Sequence, residues 1–251
     1  RTILVIHVPV LFDNSHLVVV NKPAGVPMHD SERGIVSLLK SQLKTSELFL
    51  CHRLDTDTSG CLCLAKTSLA AAAIGEAFTK RTVSKYYLAL TDAKPQKKQG
   101  TIVGDMKNRR RGQHILTKTK ENPAVTQFFS YGLTPGIRAT LVKPLTGKTH
   151  QIRVALKSLG APILGDTHYN GTSSDRMYLH AWRLSIPLED DTICVTAKPD
   201  SGLHFATSEF EQWTSKISEP DKLSWPTIAP SLLAKVCGSD DILPKFSAKS
   251  S

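Results

Sequence analysis

Runs of β-branched and aromatic residues recur from one end of this chain to the other, and the stretches between them are too rarely helical to build a regular βαβ fold. Residues 3–8 and 16–21 (HLVVVN) predict strands, as do CLCLAK from 61, SKYYLAL at 84–90, short segments at 100–103 and 114–118, and segments 125–131 and 137–142. MYLHAWRLSIP at 177–187 and TICVTAK from 192 predict two more. Helical spacing of apolar positions covers 35–44, and a second helix starts after Thr67 as cap and runs through the alanines at 70–73 to about Lys80. THQIRVALKSLG predicts a helix ended by Gly160, and SEFEQWTSK a last one. Strands that dominate without alternating regularly with helices imply an α+β fold: a mixed, mostly antiparallel sheet with flanking helices. One domain is expected over residues 1–217, and the proline-bearing tail 218–251 is expected to be extended or partly disordered.

The opening RTILVIHVPVLF alternates and lacks a small-residue cleavage site, so it predicts a strand and not a leader; a first residue other than Met suits a trimmed chain. No apolar run of about eighteen residues occurs, so no membrane span is expected. Lys and Arg number 32 against 22 Asp and Glu, a net charge of +10, which favours a polyanionic partner held by phosphate neutralisation. The excess concentrates in residues 93–123, expected as a basic insertion, where Lys94, Lys97, Lys98, Lys107, Lys118 and Lys120 surround the run Arg109-Arg110-Arg111. That run is expected to clamp phosphates.

Five cysteines, an odd number, suit no disulfide framework and point to reduced thiols in the cytoplasm. Cys51-His52 with Cys61-x-Cys63 invites a zinc reading, but the C-x-C spacing is not that of a usual zinc knuckle. Cys61 and Cys63 lie in an alternating strand and are expected to face one side as small hydrophobes; no metal is expected.

Two polar clusters could carry chemistry. HRLDTDTSG (52–60) sets Asp55 and Asp57 in a loop beside His52 and Arg53. A carboxylate among cations stays ionised, as a nucleophile or base must; turn chemistry alone also accounts for such a composition. GKTHQIR (147–153) places Lys148 and Thr149 before a helix N-terminus, where exposed amides favour anions, and Arg153 one turn in, able to pair with a carboxylate. A P-loop is ruled out, because position 142 is Val where the motif needs Gly.

HRLDTDTSG resembles the signature of the RluA family of pseudouridine synthases, His-Arg-Leu-Asp-x-x-Thr-Ser-Gly, at every fixed position. VVVNKPAGVPMH (18–29) is similar to the family's first motif, SKYYLAL to its Lys-x-Tyr strand, PLTGKTHQIRVALKSLGAPILGDTHY (144–169) to its third motif, and MYLHAWRLSIP to its Leu-His-Ala strand. The resemblance spans about residues 10–215. It implies an isomerase that converts a specific uridine of structured RNA, ribosomal or transfer, to pseudouridine, with no cofactor and no obligate protein partner, as a monomer.

It also implies roles. Asp55 matches the essential aspartate, Tyr87 the active-site tyrosine (with Tyr86 an adjacent competitor, the spacing from Lys85 favouring Tyr87), and Arg153 the basic residue that salt-bridges the aspartate. Arg53 matches the arginine that fills the space left by the flipped nucleotide, and Leu179 the aliphatic residue packed on the target base. His52, on the substrate side of the same loop, is expected to brace it. Ala155 departs from the family, which often carries His there. The chain begins close to the first motif and is expected to lack the S4-type domain of some members. A non-catalytic RNA-binding protein does not need the Asp55, Tyr87 and Arg153 set. A glycosidase would need a second carboxylate, and Asp57 lies in the same loop.

Overall fold

The computed structural model describes residues 6–29, 32–188 and 191–237. Its strands are β1 (Val10–Asp13), β2 (Leu17–Lys22), β3 (Phe49–Leu50), β4 (Ser59–Ala65), β5 (Ser84–Thr91), β6 (Gln99–Gly104), β7 (Met106–Asn108), β8 (His114–Leu116), β9 (Ala124–Thr134), β10 (Ile137–Pro144), β11 (Leu179–Leu188) and β12 (Asp191–Thr196). Its helices are α1 (Ile35–Leu43), α2 (Ser68–Thr79), α3 (Gln151–Ser158), α4 (Ser208–Lys216) and α5 (Pro230–Cys237). Among the described residues ten strands form one sheet, with the path β1-β2-β4-β11-β5-β10-β9-β6; β12 joins β11, β3 joins β4, and β7 and β8 pair apart as a hairpin. Every pairing is antiparallel except β4 with β11. The α+β class and the mixed, mostly antiparallel sheet are those the strand pattern predicts.

β2 and β4 are buried along their whole length because both faces are covered. Val18, Val20, Leu62 and Leu64 pack with Ile35 and Leu39 of α1. Leu17, Val19, Cys61, Cys63 and Ala65 pack with Ile74 and Ala77 of α2 on the other side. Continuous apolar runs are what two-sided burial demands, and each such side chain contributes about 1.5–3 kcal/mol. Cys61 and Cys63 share one face, as the alternation predicts. Thr67 caps α2, its hydroxyl accepting from the Ala70 amide at 3.1 Å. The other half of the sheet packs against α3 and α4 around Tyr86, Phe128, Leu156 and Trp213.

The parallel β4–β11 seam needs a glycine. Gly60 sits at φ +113, and any Cβ there would collide with the carbonyl of Ala181. This is the last residue of HRLDTDTSG, so the motif ends where two distant stretches of chain join.

Three expectations change. Among the described residues the first strand begins at Val10, and residues 6–8 of the segment expected at 3–8 are irregular; residues 1–5 lie outside those described. The Pro9 carbonyl still accepts from the Asn21 amide at 2.9 Å, but Pro9 has no N–H to carry the ladder on, and Val8 instead exchanges two hydrogen bonds with the side-chain amide of Gln42 on α1, at 2.9 and 2.8 Å. Of the segment 93–123 expected as a basic insertion, residues 99–104 are the edge strand β6 of the main sheet; the excursion is the β7–β8 hairpin, tipped by Arg109–Arg111.

The tail is docked through Cys237, with 238–251 outside the described residues. Tyr86 Oη donates to Asp221 at 2.7 Å, Trp225 packs on Tyr86 and Phe129, Gln127 donates to the Pro226 carbonyl at 2.6 Å, and Lys235 reaches the Lys120 carbonyl at 2.9 Å. Low hydrophobicity hides this docking in sequence, because one tryptophan and a few polar bonds carry it. Trp225→Ala should therefore lower stability by about 2–4 kcal/mol, read from urea unfolding; an unchanged midpoint would mean that the strap adds nothing.

Candidate active site

Asp55 lies in the loop between β3 and β4, and its neighbours fix that loop at several points. Leu54 is buried in the core under α1. The Thr58 amide donates to the Asp55 carbonyl at 3.0 Å, closing a tight turn. The Thr56 carbonyl accepts from the Gly25 amide and from the Lys22 ammonium, both at 2.9 Å. Lys22 is fully buried and also donates to the carbonyls of Pro23 and Val26 at 2.8 Å. Burial pushes its ammonium down to about 8, with the charge of Asp57 opposing. The VVVNKPAG segment is thus a clamp on the HRLD loop. His52 braces the other side: its Nε2 accepts from the Cys63 amide at 2.9 Å and its ring stacks on Phe78 with centroids 4.5 Å apart. Burial, with the charge of Lys85 adding to it, pushes the imidazole down to about 3, so it stays neutral and holds structure rather than protons. Arg53 projects from the same loop and is exposed.

Arg153 comes from the first turn of α3. Its Nη1 donates to Asp55 Oδ2 at 3.2 Å, the pairing expected of it. A partner missed in the sequence holds it more tightly. Asp166 takes Nε on one carboxylate oxygen and Nη2 on the other, each at 2.8 Å, a bidentate fork. Asp166 is 1% exposed and Asp55 29%. Burial would weaken the charge on Arg153, but the bonds to Asp166 and the charges of both aspartates raise its pKa instead. The signal for Asp166 lay in Gly165-Asp166 of the third motif: Gly165 has φ +83, and a Cβ there would strike the Arg176 carbonyl, so this glycine lets the chain pass and aim the carboxylate. The ring of Tyr169 covers the guanidinium at 5.0 Å.

Tyr87 lies in β5 between Val142 of β10 and Ala181 of β11. Burial, then the charge of Asp55, pushes its phenol well up, so it stays protonated beside that carboxylate. Tyr86, the adjacent tyrosine, faces the other way, toward the tail and Asp221. Leu179, at the start of β11, is buried. Asp55, Arg153 and Tyr87 therefore gather at the parallel seam.

The remaining residues gather elsewhere. Arg109, Arg110 and Arg111 are exposed at the hairpin tip, with Arg111 left-handed at φ 59. The hairpin docks beside α3: the His114 amide donates to Tyr169 Oη at 2.9 Å, and Tyr169 Oη in turn meets His150 Nδ1 at 2.8 Å. Lys148 is tied to Asn122 at 2.8 Å, and Thr149 is exposed. His150, in the left-handed region at φ 56, is the residue preceding α3, and the Gln151 side chain accepts from the Lys148 amide at 3.0 Å. Asp166→Asn should leave Arg153 half-paired and cost about 3–5 kcal/mol of stability with loss of turnover. Wild-type unfolding and activity in that variant would remove Asp166 from the site.

Residues 16–158 match the family model described as RNA pseudouridylate synthase. The chain is 42% identical over 218 residues to an uncharacterized RNA pseudouridine synthase of Haemophilus influenzae, covering 85% of this chain and 97% of that one. It is 31% identical over 183 residues to ribosomal large subunit pseudouridine synthase C of Rickettsia bellii, covering 68% and 61%. The solved structure of human RNA pseudouridylate synthase domain containing 1 superposes with a TM-score of 0.71 at 28% identity, covering 87% of this chain and 98% of that one. The HRLD loop, the Lys-x-Tyr strand and the paired arginine therefore belong to an RNA pseudouridylate synthase of the RluA type, an isomerase that converts uridine to pseudouridine in RNA.

Proposed function

We propose that Asp55 is the essential carboxylate and that the substrate is a uridine flipped from a structured RNA, ribosomal or transfer. The observation that carries this reading is the shared arginine: Arg153 gives its fork to the buried Asp166 and one N–H to the more exposed Asp55. Two carboxylates against one guanidinium leave Asp55 incompletely neutralised, which suits an anion that must react. The Rickettsia relative's name, a ribosomal large subunit synthase, supports ribosomal RNA among the two classes.

The isomerisation breaks the N1–C1′ bond and joins C1′ to C5 of the same uracil; the hydrogen on C5 leaves as a proton and N1 ends protonated, with no net redox change. Three first steps are open to Asp55: attack at C1′, attack at C6, or removal of the C2′ proton. Tyr87, protonated and wedged between β10 and β11, is placed to stack on the uracil and donate a hydrogen bond. Unstacking the uridine costs on the order of a few kcal/mol, and the exposed Arg53 would fill the gap and offset part of that. Leu179 would pack against the displaced base.

Asp55→Asn should abolish tritium release from 5-³H-uridine RNA while RNA affinity stays within a few-fold of wild type; turnover by that variant would sink the assignment. The hairpin arginines are read as a backbone grip. Changing Arg109, Arg110 and Arg111 to Gln should flatten log K against log salt by about 2 to 3. An unaltered slope would move the grip elsewhere.

A further inference from the structure

Lys85 precedes Tyr87 by two residues on β5 and so points to the same face of the sheet. Its side chain is only partly exposed, and among the described residues it makes no hydrogen bond and no ion pair. The charge it feels is another cation, Arg81; burial first and that repulsion second push its ammonium down to about 8. His52 of the HRLD loop lies on one side, neutral and close enough to feel the Lys85 charge. Gly147 of the GKT loop lies on another, where an added Cβ would stand 3.8 Å from Lys85 Nζ. The ammonium therefore occupies a notch bounded by both signature loops and by the end of α2.

Arg81 is itself in an unfavourable place. It follows α2 at φ 59, the left-handed position that glycine usually takes after a helix, with its amide donating to the Phe78 carbonyl at 3.1 Å and the Thr82 amide to Ala77 at 3.0 Å. Two cations thus share a half-desolvated notch in which no described carboxylate pairs with either, one of them on a strained backbone. An anion from outside the chain relieves both. The polyanion this enzyme acts on supplies one, and the Lys85–Tyr87 spacing, about 7 Å along a strand, is a span suited to a neighbouring phosphate of the same RNA strand.

We propose that Arg81 and Lys85 form a phosphate-binding notch that holds the RNA backbone next to the target uridine. The proposal rests on the reading that this uridine lies against Tyr87 and Asp55. Arg81 offers a planar fork and Lys85 a point charge, a common division of labour around a phosphate. The notch is separate from the hairpin tip: one grips beside the reacting nucleotide, the other further along the RNA.

The test uses the full chain and a synthetic stem–loop carrying the uridine that pseudouridine mapping assigns to this enzyme. Lys85→Gln and Arg81→Gln should each weaken binding roughly tenfold, as loss of one charge-assisted contact implies, and lower the salt slope by about 0.7. A methylphosphonate, which is uncharged, is then placed at each phosphate flanking the uridine in turn. One position should weaken wild type by the same factor and add nothing further in Lys85→Gln. Lys85→Arg should restore affinity. If the two cations serve the fold alone, binding and slope stay at wild-type values, or the methylphosphonate penalty in Lys85→Gln equals that in wild type, and the proposal falls. Should either Gln variant fail to fold, the wild-type methylphosphonate scan still decides: no sensitive flanking position overturns the notch. Turnover by Asp55→Asn would strike the underlying reading instead, so the two failures are distinguishable.

Discussion

The bidentate bond between Arg153 and Asp166 organises the centre of this enzyme. A guanidinium carried on one helix could swing through several rotamers; Asp166 fixes it on two atoms and Tyr169 covers its face. Only then does one N–H point at Asp55. Fixing the arginine in advance means that it need not be ordered at the moment of reaction, which is how preorganised electrostatics lower barriers. Asp55 takes only one N–H of Arg153 and is itself partly exposed, because the stronger bonds of that arginine go elsewhere.

The same cluster extends outward. Tyr169 touches the arginine with its ring and the hairpin with its hydroxyl, so the basic arm and the Arg153–Asp55 pair share one support. On the opposite side Lys22 ties the first motif to the HRLD loop through three carbonyls. Motifs that are far apart in sequence are here a set of braces around one carboxylate.

Much of this was legible in the sequence, and the reasons are local. The β-branched runs of β2 and β4 announced strands, the alternation of CLCLAK set Cys61 and Cys63 on one face, and Thr67 announced a capped helix. What stayed hidden depends on long-range geometry. Pro9 and Gln42 turn an apolar segment away from the sheet, Trp225 anchors a tail whose composition alone suggests little order, and Asp166 acts through an arginine thirteen residues earlier. A side chain that works by holding another leaves a weak mark on periodicity or composition.

The parallel seam ties the timing of competence to the order of synthesis. Ser59 and His180, bonded across it at 2.7 Å, stand 121 residues apart, so β4 cannot meet β11 until most of the chain has been made. Pairing at such separation is slow to nucleate, because loop-closure entropy is lost before contacts compensate it. The HRLD loop feeds directly into that seam at Gly60. A nascent chain that stops short of β11 therefore carries the HRLD loop without the strand that closes it. The setting of the Asp55 loop thus waits on a strand made long after it.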